Sequence, residues 1–192
     1  MPPFNFKKID STWTLFLDRD GVINYEKRNG YISGWKEYKL YEDVLASLQI
    51  FSSVFGKIVL VSNQKGVGRG ITKKESLNEI TDGLLALVFQ SGGRIDKVYY
   101  SFDTLDSAPN RKPNPGMAWQ AKEDFPEIDF AKSIMVGNRL SDMEFAFNAG
   151  MYGFFLATTH PETAFPHPWI HARFNSLGEM ARHLPEIHPT TS

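Results

Sequence analysis

Short hydrophobic runs recur along the chain and alternate with longer segments that have helical periodicity. The runs are continuous rather than alternating and are rich in β-branched and aromatic residues, which is typical of strands covered on both faces of a parallel sheet. They predict strands over residues 13–17, 58–61, 98–102, 134–136 and 152–156. Hydrophobic residues at helical spacing predict helices over residues 41–55 and 71–90.

Three S/T-x-x-E sequences have the pattern of capping boxes and predict where helices begin. They are Thr72 with Glu75, Ser141 with Glu144, and Ser176 with Glu179, and Gly150 is placed to end the helix before the fifth strand. The order βαβαβαβαβ predicts an α/β, Rossmann-like three-layer sandwich around a central, mostly parallel sheet. We expect one domain over residues 1–192, with its core at about 12–184 and a frayed tail at 185–192.

Polar clusters follow the first four predicted strands. The clusters are Asp18 with Asp20, then Ser62, Asn63 and Gln64, then Arg111 with Lys112, then Asn138 to Asp142. In open α/β sheets, ligands bind outside the carboxyl ends of the strands, so the four segments are predicted to converge on one crevice.

Asp18 and Asp20 place two like charges two residues apart at a strand end, where both side chains point to the same side. Such a pair repels unless a cation lies nearby or one carboxyl carries a proton. Mg²⁺ is suited to this position because it prefers carboxylate and carbonyl oxygens and retains waters and substrate phosphate oxygens. A lone acidic pair is also common in caps and turns, so the other three clusters are what favours a catalytic site.

The segments LFLDRDGVIN, VSNQKGVGRG, RKPNPGM and VGNRLSDMEFAFNAG, in this order, resemble the four motifs of the haloacid dehalogenase superfamily of phosphatases. The likeness runs from about residue 13 to 156 and favours the branch of heptose-bisphosphate and histidinol-phosphate phosphatases. It implies a Mg²⁺-dependent phosphatase without a large cap domain. Asp18 would be the nucleophile that forms an aspartyl-phosphate, and Asp20 the general acid and base. Asp18, the carbonyl of Asp20 and Asn138 would bind the metal.

The resemblance assigns roles to the remaining polar residues as well. Ser62 and Asn63 would bind the phosphoryl group, with Gln64 beside them, although Ser-Asn is also a common turn sequence. Lys112 would stabilise the aspartyl-phosphate and Arg111 would grip substrate phosphate, although a basic pair before proline is also an ordinary solvated loop. The candidates for a second phosphate, which are equally well explained as solvated loop charges, are Lys27, Arg28 and Arg139.

The sequence departs from the family pattern in two places. Asn138 stands where GD-x-x-x-D has its first, metal-binding Asp, while Asp142 keeps the second place. A neutral ligand binds Mg²⁺ more weakly, which leaves open a phosphate-binding module with weakened catalysis. The branch often has a cysteine-rich zinc loop before the third motif, but this chain has no cysteine, so no zinc is expected. His160, His167 and His171 match no zinc spacing and are predicted to be surface residues.

The charge and hydrophobicity of the chain disfavour some classes of binding partner. The 21 basic and 22 acidic residues give a net charge of −1, which does not favour nucleic acid or an anionic membrane. The N-terminal segment MPPFNFKKIDSTW lacks an apolar core of signal-peptide length, and no run in the sequence approaches the roughly 18 apolar residues of a membrane helix. We therefore expect a cytoplasmic monomer or small homo-oligomer. The family resemblance implies that its substrate is a small phosphorylated metabolite, with D-glycero-D-manno-heptose 1,7-bisphosphate favoured and histidinol phosphate as the alternative.

Overall fold

A computed structural model of the protein describes residues 3–27 and 30–185. Six parallel strands within these residues form one sheet in the order β3-β2-β1-β4-β5-β6. The strands are β1 (Thr14–Leu17), β2 (Lys57–Asn63), β3 (Lys97–Ser101), β4 (Ser133–Gly137), β5 (Tyr152–Leu156) and β6 (Ala172–Phe174). The helices are α1 (Val44–Val54), α2 (Lys65–Gly68), α3 (Lys74–Gln90), α4 (Gly116–Asp124), α5 (Leu140–Ala149) and α6 (Leu177–Ala181), with 3₁₀ turns at Phe6–Lys8, Trp35–Glu37 and Phe130–Lys132.

Helices cover both faces of the sheet, which explains why the strand sequences are hydrophobic without alternation. In β1, Leu15 and Leu17 pack with residues of α1, α3 and α6 on one face, and Phe16 packs with residues of α4 and α5 on the other. All three side chains are fully buried. The predicted Rossmann-like three-layer fold is confirmed.

The ends of several elements differ from the predictions. The helix predicted from Thr72 begins at Lys74, and the amide of Thr72 instead donates to the carbonyl of Gly66. The cap predicted at Ser141 is wrong, because α5 begins at Leu140 and the carboxylate of Asp142 accepts the N–H of Arg139.

Two other predicted helix ends are correct. The hydroxyl of Ser176 caps α6 by accepting the N–H of Glu179. Gly150 ends α5 with a φ of 80°, a left-handed conformation that glycine adopts without strain.

The sequence patterns also missed β6, a three-residue strand at the sheet edge. The tail predicted to fray falls mostly on residues 186–192, which lie outside the described residues.

Because the strands are parallel, the polar clusters that follow them lie at the same end of the sheet, beside the carboxyl ends of the strands. β1 lies between β2 and β4. The strand order reverses at β1, with β2 and β3 on one side and β4 to β6 on the other, and a crevice opens at the carboxyl ends where the order reverses. The amide of Asp18 donates to the carbonyl of Val136 at 3.0 Å, which brings the ends of β1 and β4 together. None of the helices in residues 3–27 and 30–185 has the length and hydrophobicity to cross a membrane.

Candidate active site

A buried lysine joins two carboxylates at the base of the crevice. Nζ of Lys112 lies 2.8 Å from Oδ1 of Asp18 and 2.7 Å from Oδ1 of Asp142, and it also donates to the carbonyl of Val61 at 3.0 Å. The side chain of Lys112 is only 2% exposed. Three segments that are distant in sequence therefore supply one charged cluster, which we call the lysine cluster (Asp18, Lys112 and Asp142).

Burial and neighbouring charges act in opposite directions on the pKa values of Asp18 and Lys112. Burial raises the pKa of Asp18 to about 6, against the opposing effect of Lys112. Burial alone would lower the pKa of Lys112, but the carboxylates of Asp142 and Asp18 raise it overall, so the ammonium stays charged. With two carboxylates around one ammonium, a further cation beside Asp18 would be stabilised.

Asp20 is held by donors on three sides. Nη2 of Arg19 reaches both carboxylate oxygens, at 3.1 and 2.9 Å, and amide groups of Asn24 and Gln64 donate at 3.0 and 2.9 Å. Burial would raise the pKa of Asp20, but Arg19 and the other donors lower it overall. The carboxylate form is therefore favoured in the resting site.

Arg19 contacts the candidate acid and base Asp20, and the sequence patterns did not predict this contact. Its guanidinium is buried between the rings of Tyr38 and Tyr100, 5.8 and 5.9 Å from their centroids. The alternation of side chains along an extended segment was the available signal, because Arg19 lies between two residues that face the crevice.

Ser62 and Asn63 end β2 rather than lying in the loop after it. The hydroxyl of Ser62 accepts a hydrogen bond from Nε2 of Gln64 at 2.9 Å. The side chain of Asn63 forms a reciprocal pair with the backbone of Lys112, both bonds being 3.0 Å long. Asn63 therefore holds the loop that carries the lysine, and its main-chain contact with a phosphoryl group stays a prediction.

Asn138 provides an observation that fits a metal ion. The residue is fully buried, and its Nδ2 donates to Oγ1 of Thr159 at 2.6 Å. Its Oδ1 is buried and has no hydrogen-bond partner among the described residues. An unpaired buried oxygen is costly, and hard oxygen donors of this kind, with the carboxylate of Asp18 at the adjacent strand end, suit Mg²⁺. The residues present therefore fit the metal that the resemblance implies.

The crevice has a volume of about 540 Å³ and a rim of paired charges. Nε of Arg111 lies 2.9 Å from Oδ1 of Asp106, and Lys27 pairs with Glu37 at 3.0 Å. Arg139 pairs with Glu26.

The structure brings most of the predicted site residues to this crevice. Those that line it are Asp18, Asp20, Ser62, Asn63, Gln64, Arg111, Lys112 and Arg139. Asn138 is buried against Gly21, and Arg28 lies outside the described residues.

The lysine cluster and the crevice above it form a charged site at the carboxyl end of β1, which is where α/β proteins with a parallel sheet bind ligands. The family described as Polynucleotide kinase 3 phosphatase matches residues 14–160. A D-glycero-beta-D-manno-heptose-1,7-bisphosphate 7-phosphatase of Helicobacter pylori (strain J99 / ATCC 700824) is 30% identical over 174 residues, which are 90% of this chain and 97% of that protein. A D-glycero-alpha-D-manno-heptose-1,7-bisphosphate 7-phosphatase of Campylobacter jejuni is 33% identical over 138 residues, 72% of this chain and 78% of that protein.

Solved structures agree with these relatives. The D,D-heptose 1.7-bisphosphate phosphatase of B. bronchiseptica, complexed with magnesium and phosphate, superposes with a TM-score of 0.79 and 25% identity over 88% of this chain and 96% of that chain. A structure from Mesorhizobium loti, described as a putative HAD-like phosphatase, has a TM-score of 0.72 and 26% identity over 94% of this chain and 88% of that chain. The chain belongs to the Polynucleotide kinase 3 phosphatase family, within the haloacid dehalogenase superfamily and in its heptose-bisphosphate branch. It is an enzyme of the phosphatase class.

Proposed function

We propose that the protein is a Mg²⁺-dependent phosphatase that hydrolyses a sugar phosphate through an aspartyl-phosphate on Asp18. The preferred substrate is a D-glycero-D-manno-heptose 1,7-bisphosphate. The observation that carries the proposal is the lysine cluster, in which the Lys112 ammonium holds Oδ1 of Asp18 at 2.8 Å. Oδ2 of Asp18 receives no hydrogen bond within residues 3–27 and 30–185 and is available to attack phosphorus.

The reaction proceeds in two displacements at phosphorus. In the first, an oxygen of Asp18 bonds to phosphorus, the bond to the sugar oxygen breaks, and Asp20 gives its proton to that oxygen. In the second, Asp20 takes a proton from water, the water oxygen bonds to phosphorus, and the bond to Asp18 breaks. The donors around Asp20 suit its second role as a base, whereas the negative phosphate of an arriving substrate favours the protonated form needed in the first.

The other side chains of the crevice stabilise charge on the phosphoryl group. Ser62 contributes a hydroxyl from the end of β2, and Lys112 neutralises charge beside Asp18 in both displacements. Asp18, the carbonyl of Asp20 and Oδ1 of Asn138 would hold Mg²⁺, which when bound offsets the charge on the transferred group.

The choice of substrate rests on the relatives and on the rim. The relatives are named for both anomers of the bisphosphate, the β form in Helicobacter pylori and the α form in Campylobacter jejuni. Arg111 and Arg139 line the crevice and are suited to receive a second phosphate because guanidinium groups bind phosphate through paired donors.

The proposal is tested by a panel of phosphorylated substrates with Mg²⁺ and with a chelator. The panel contains both heptose bisphosphate anomers, histidinol phosphate and an aryl phosphate, each assayed with the wild type and Asp18→Asn. We expect the highest kcat/KM for one bisphosphate anomer, and activity that requires both Mg²⁺ and Asp18. A higher kcat/KM for histidinol phosphate would make that compound the preferred substrate in place of the heptose bisphosphate. Binding without hydrolysis would support the phosphate-binding module.

A further inference from the structure

Two consecutive threonines after β5 contact the site from a fifth segment, outside the four motifs. Oγ1 of Thr158 donates to the carbonyl of Gly21 at 2.5 Å, in the turn that follows Asp20. Oγ1 of Thr159 accepts the hydrogen bond from Nδ2 of Asn138 at 2.6 Å. The loop after β5 therefore touches both the first-strand turn and the residue that replaces the family's metal-binding Asp.

The hydrogen bond to Thr159 determines which end of the Asn138 amide is free. A methyl group on Gly21 would lie 2.1 Å from Nδ2 but 3.2 Å from Oδ1, so the nitrogen faces Gly21 and the oxygen lies farther away. Oδ1 is the atom left without a partner among the described residues. An amide has only one oxygen, and a half-turn of the side chain would present an N–H₂ group that cannot bind a cation.

We propose that Thr159 is a positioning residue that fixes the Asn138 amide with its oxygen available to a divalent cation. Thr158 assists by tying the Gly21 turn against the same side chain. This inference rests on the proposed function, because it assumes that Asn138 contributes a metal ligand. It also explains how a neutral amide serves in this position. The Thr159 hydroxyl accepts a hydrogen bond from the amide N–H₂ group, so the amide does not turn that group toward the cation in place of its oxygen.

The inference makes a prediction that depends on the symmetry of the side chain at position 138. A carboxylate presents an oxygen whichever way it turns, and the Thr159 hydroxyl could donate to either of its oxygens. The hydroxyl should therefore matter for metal affinity when residue 138 is Asn and matter much less when it is Asp. A merely structural role for Thr159 would weaken both proteins equally.

The experiment is a double-mutant cycle on Mn²⁺ affinity, measured by electron paramagnetic resonance of the free ion and without any assay of turnover. The proteins are the wild type, Thr159→Val, Asn138→Asp and the double variant, with Thr159→Ser as the conservative replacement. Thr163→Val is the matched control, because Thr163 lies in the same loop and its hydroxyl forms no hydrogen bond within the described residues. Thermal unfolding verifies that each variant is folded, and Thr159→Ala takes the place of Thr159→Val if that variant does not fold.

We expect Thr159→Val to weaken Mn²⁺ binding by about 10-fold or more, as is typical when a partner of a metal ligand is removed. Thr159→Ser and Thr163→Val should bind like the wild type, and Thr159→Val should cost much less in the Asn138→Asp background. Wild-type affinity in Thr159→Val, or equal losses in both backgrounds, would overturn the inference while leaving the proposed phosphatase intact. Absence of Mn²⁺ binding and of phosphatase activity in both the wild type and Asn138→Asp would overturn both proposals.

Discussion

The lysine cluster and the rim of the crevice are both built from paired charges, but their environments are opposite. Lys112 is 2% exposed between two buried carboxylates, whereas at the rim Asp106, the partner of Arg111, is 84% exposed. Buried pairs are rigid and costly to break, while exposed pairs contribute about 0–1 kcal/mol each. Under the proposed function, the lysine cluster is in place before substrate binds, and rim cations exchange an acidic partner for a substrate phosphate at little cost.

Asp18→Asn should produce the largest effect, because it removes the proposed nucleophile and keeps a side chain of nearly the same size. We expect kcat to fall by about 10⁴-fold or more, in the range found when a catalytic nucleophile is removed. The measurement is turnover of the preferred sugar phosphate, with thermal unfolding as the control for folding. Residual activity near that of the wild type would show that Asp18 is not the nucleophile.

Lys112→Met should be the most destabilising change, because it leaves Asp18 and Asp142 buried without a cation. Removing one partner of a buried pair typically costs about 3–5 kcal/mol in the free energy of unfolding. Lys97→Met is the matched control: Lys97 forms an exposed pair with Asp124 at 2.7 Å, and its loss should cost about 1 kcal/mol or less. Urea denaturation of both variants measures the loss in the free energy of unfolding. Equal losses would show that the buried pair is no more costly to break than the exposed pair.

Arg111→Met should change substrate selection rather than chemistry. Losing a charge-assisted hydrogen bond worth about 1.5–3 kcal/mol should raise KM for a sugar bisphosphate by about 10- to 100-fold. An aryl monophosphate should be much less affected, because it has no second phosphate to place at the rim. KM measured for both substrates tests this, and the same increase for both would assign Arg111 to the transferred phosphate instead.

Ionic strength should have the smallest effect, and only at the rim. Raising it from about 0.01 to 0.15 M shortens the screening length from about 30 to 8 Å. This weakens interactions between exposed charges far more than those between buried charges. We expect KM for the bisphosphate to rise a few-fold while kcat stays nearly constant. A fall in kcat with unchanged KM would place the salt-sensitive charges in the lysine cluster.

The parts of the site that could be predicted from the sequence are those fixed by strand ends. Asp18 was identified because a hydrophobic run locates the carboxyl end of β1, and Lys112 because RKPNPGM resembles the third motif of the family. Arg19 and Thr159 were not identified, because their contacts with Asp20 and Asn138 depend on which way a side chain points and on how the loop after β5 packs against another strand end. Such contacts join residues with no shared local pattern.

Local patterns also failed where tertiary contacts compete with them. The S/T-x-x-E pattern at Ser141 did not mark a cap, because the carboxylate of Asp142, one residue on, bonds the N–H of Arg139 while also pairing with Lys112. β6 was missed because it is only three residues long and includes Arg173, so that its hydrophobic signal is weak.

The most direct measurement of the central claim is the detection of a phosphoryl group on Asp18. The wild type is mixed with the preferred sugar phosphate and Mg²⁺, quenched in acid during turnover, and digested for mass spectrometry, with Asp18→Asn treated in parallel. The account predicts that the wild-type peptide containing Asp18 gains the mass of one phosphoryl group, and that borohydride converts this residue to homoserine. Rapid turnover with no modification at any quench time, or a phosphoryl group on a different residue, would contradict it.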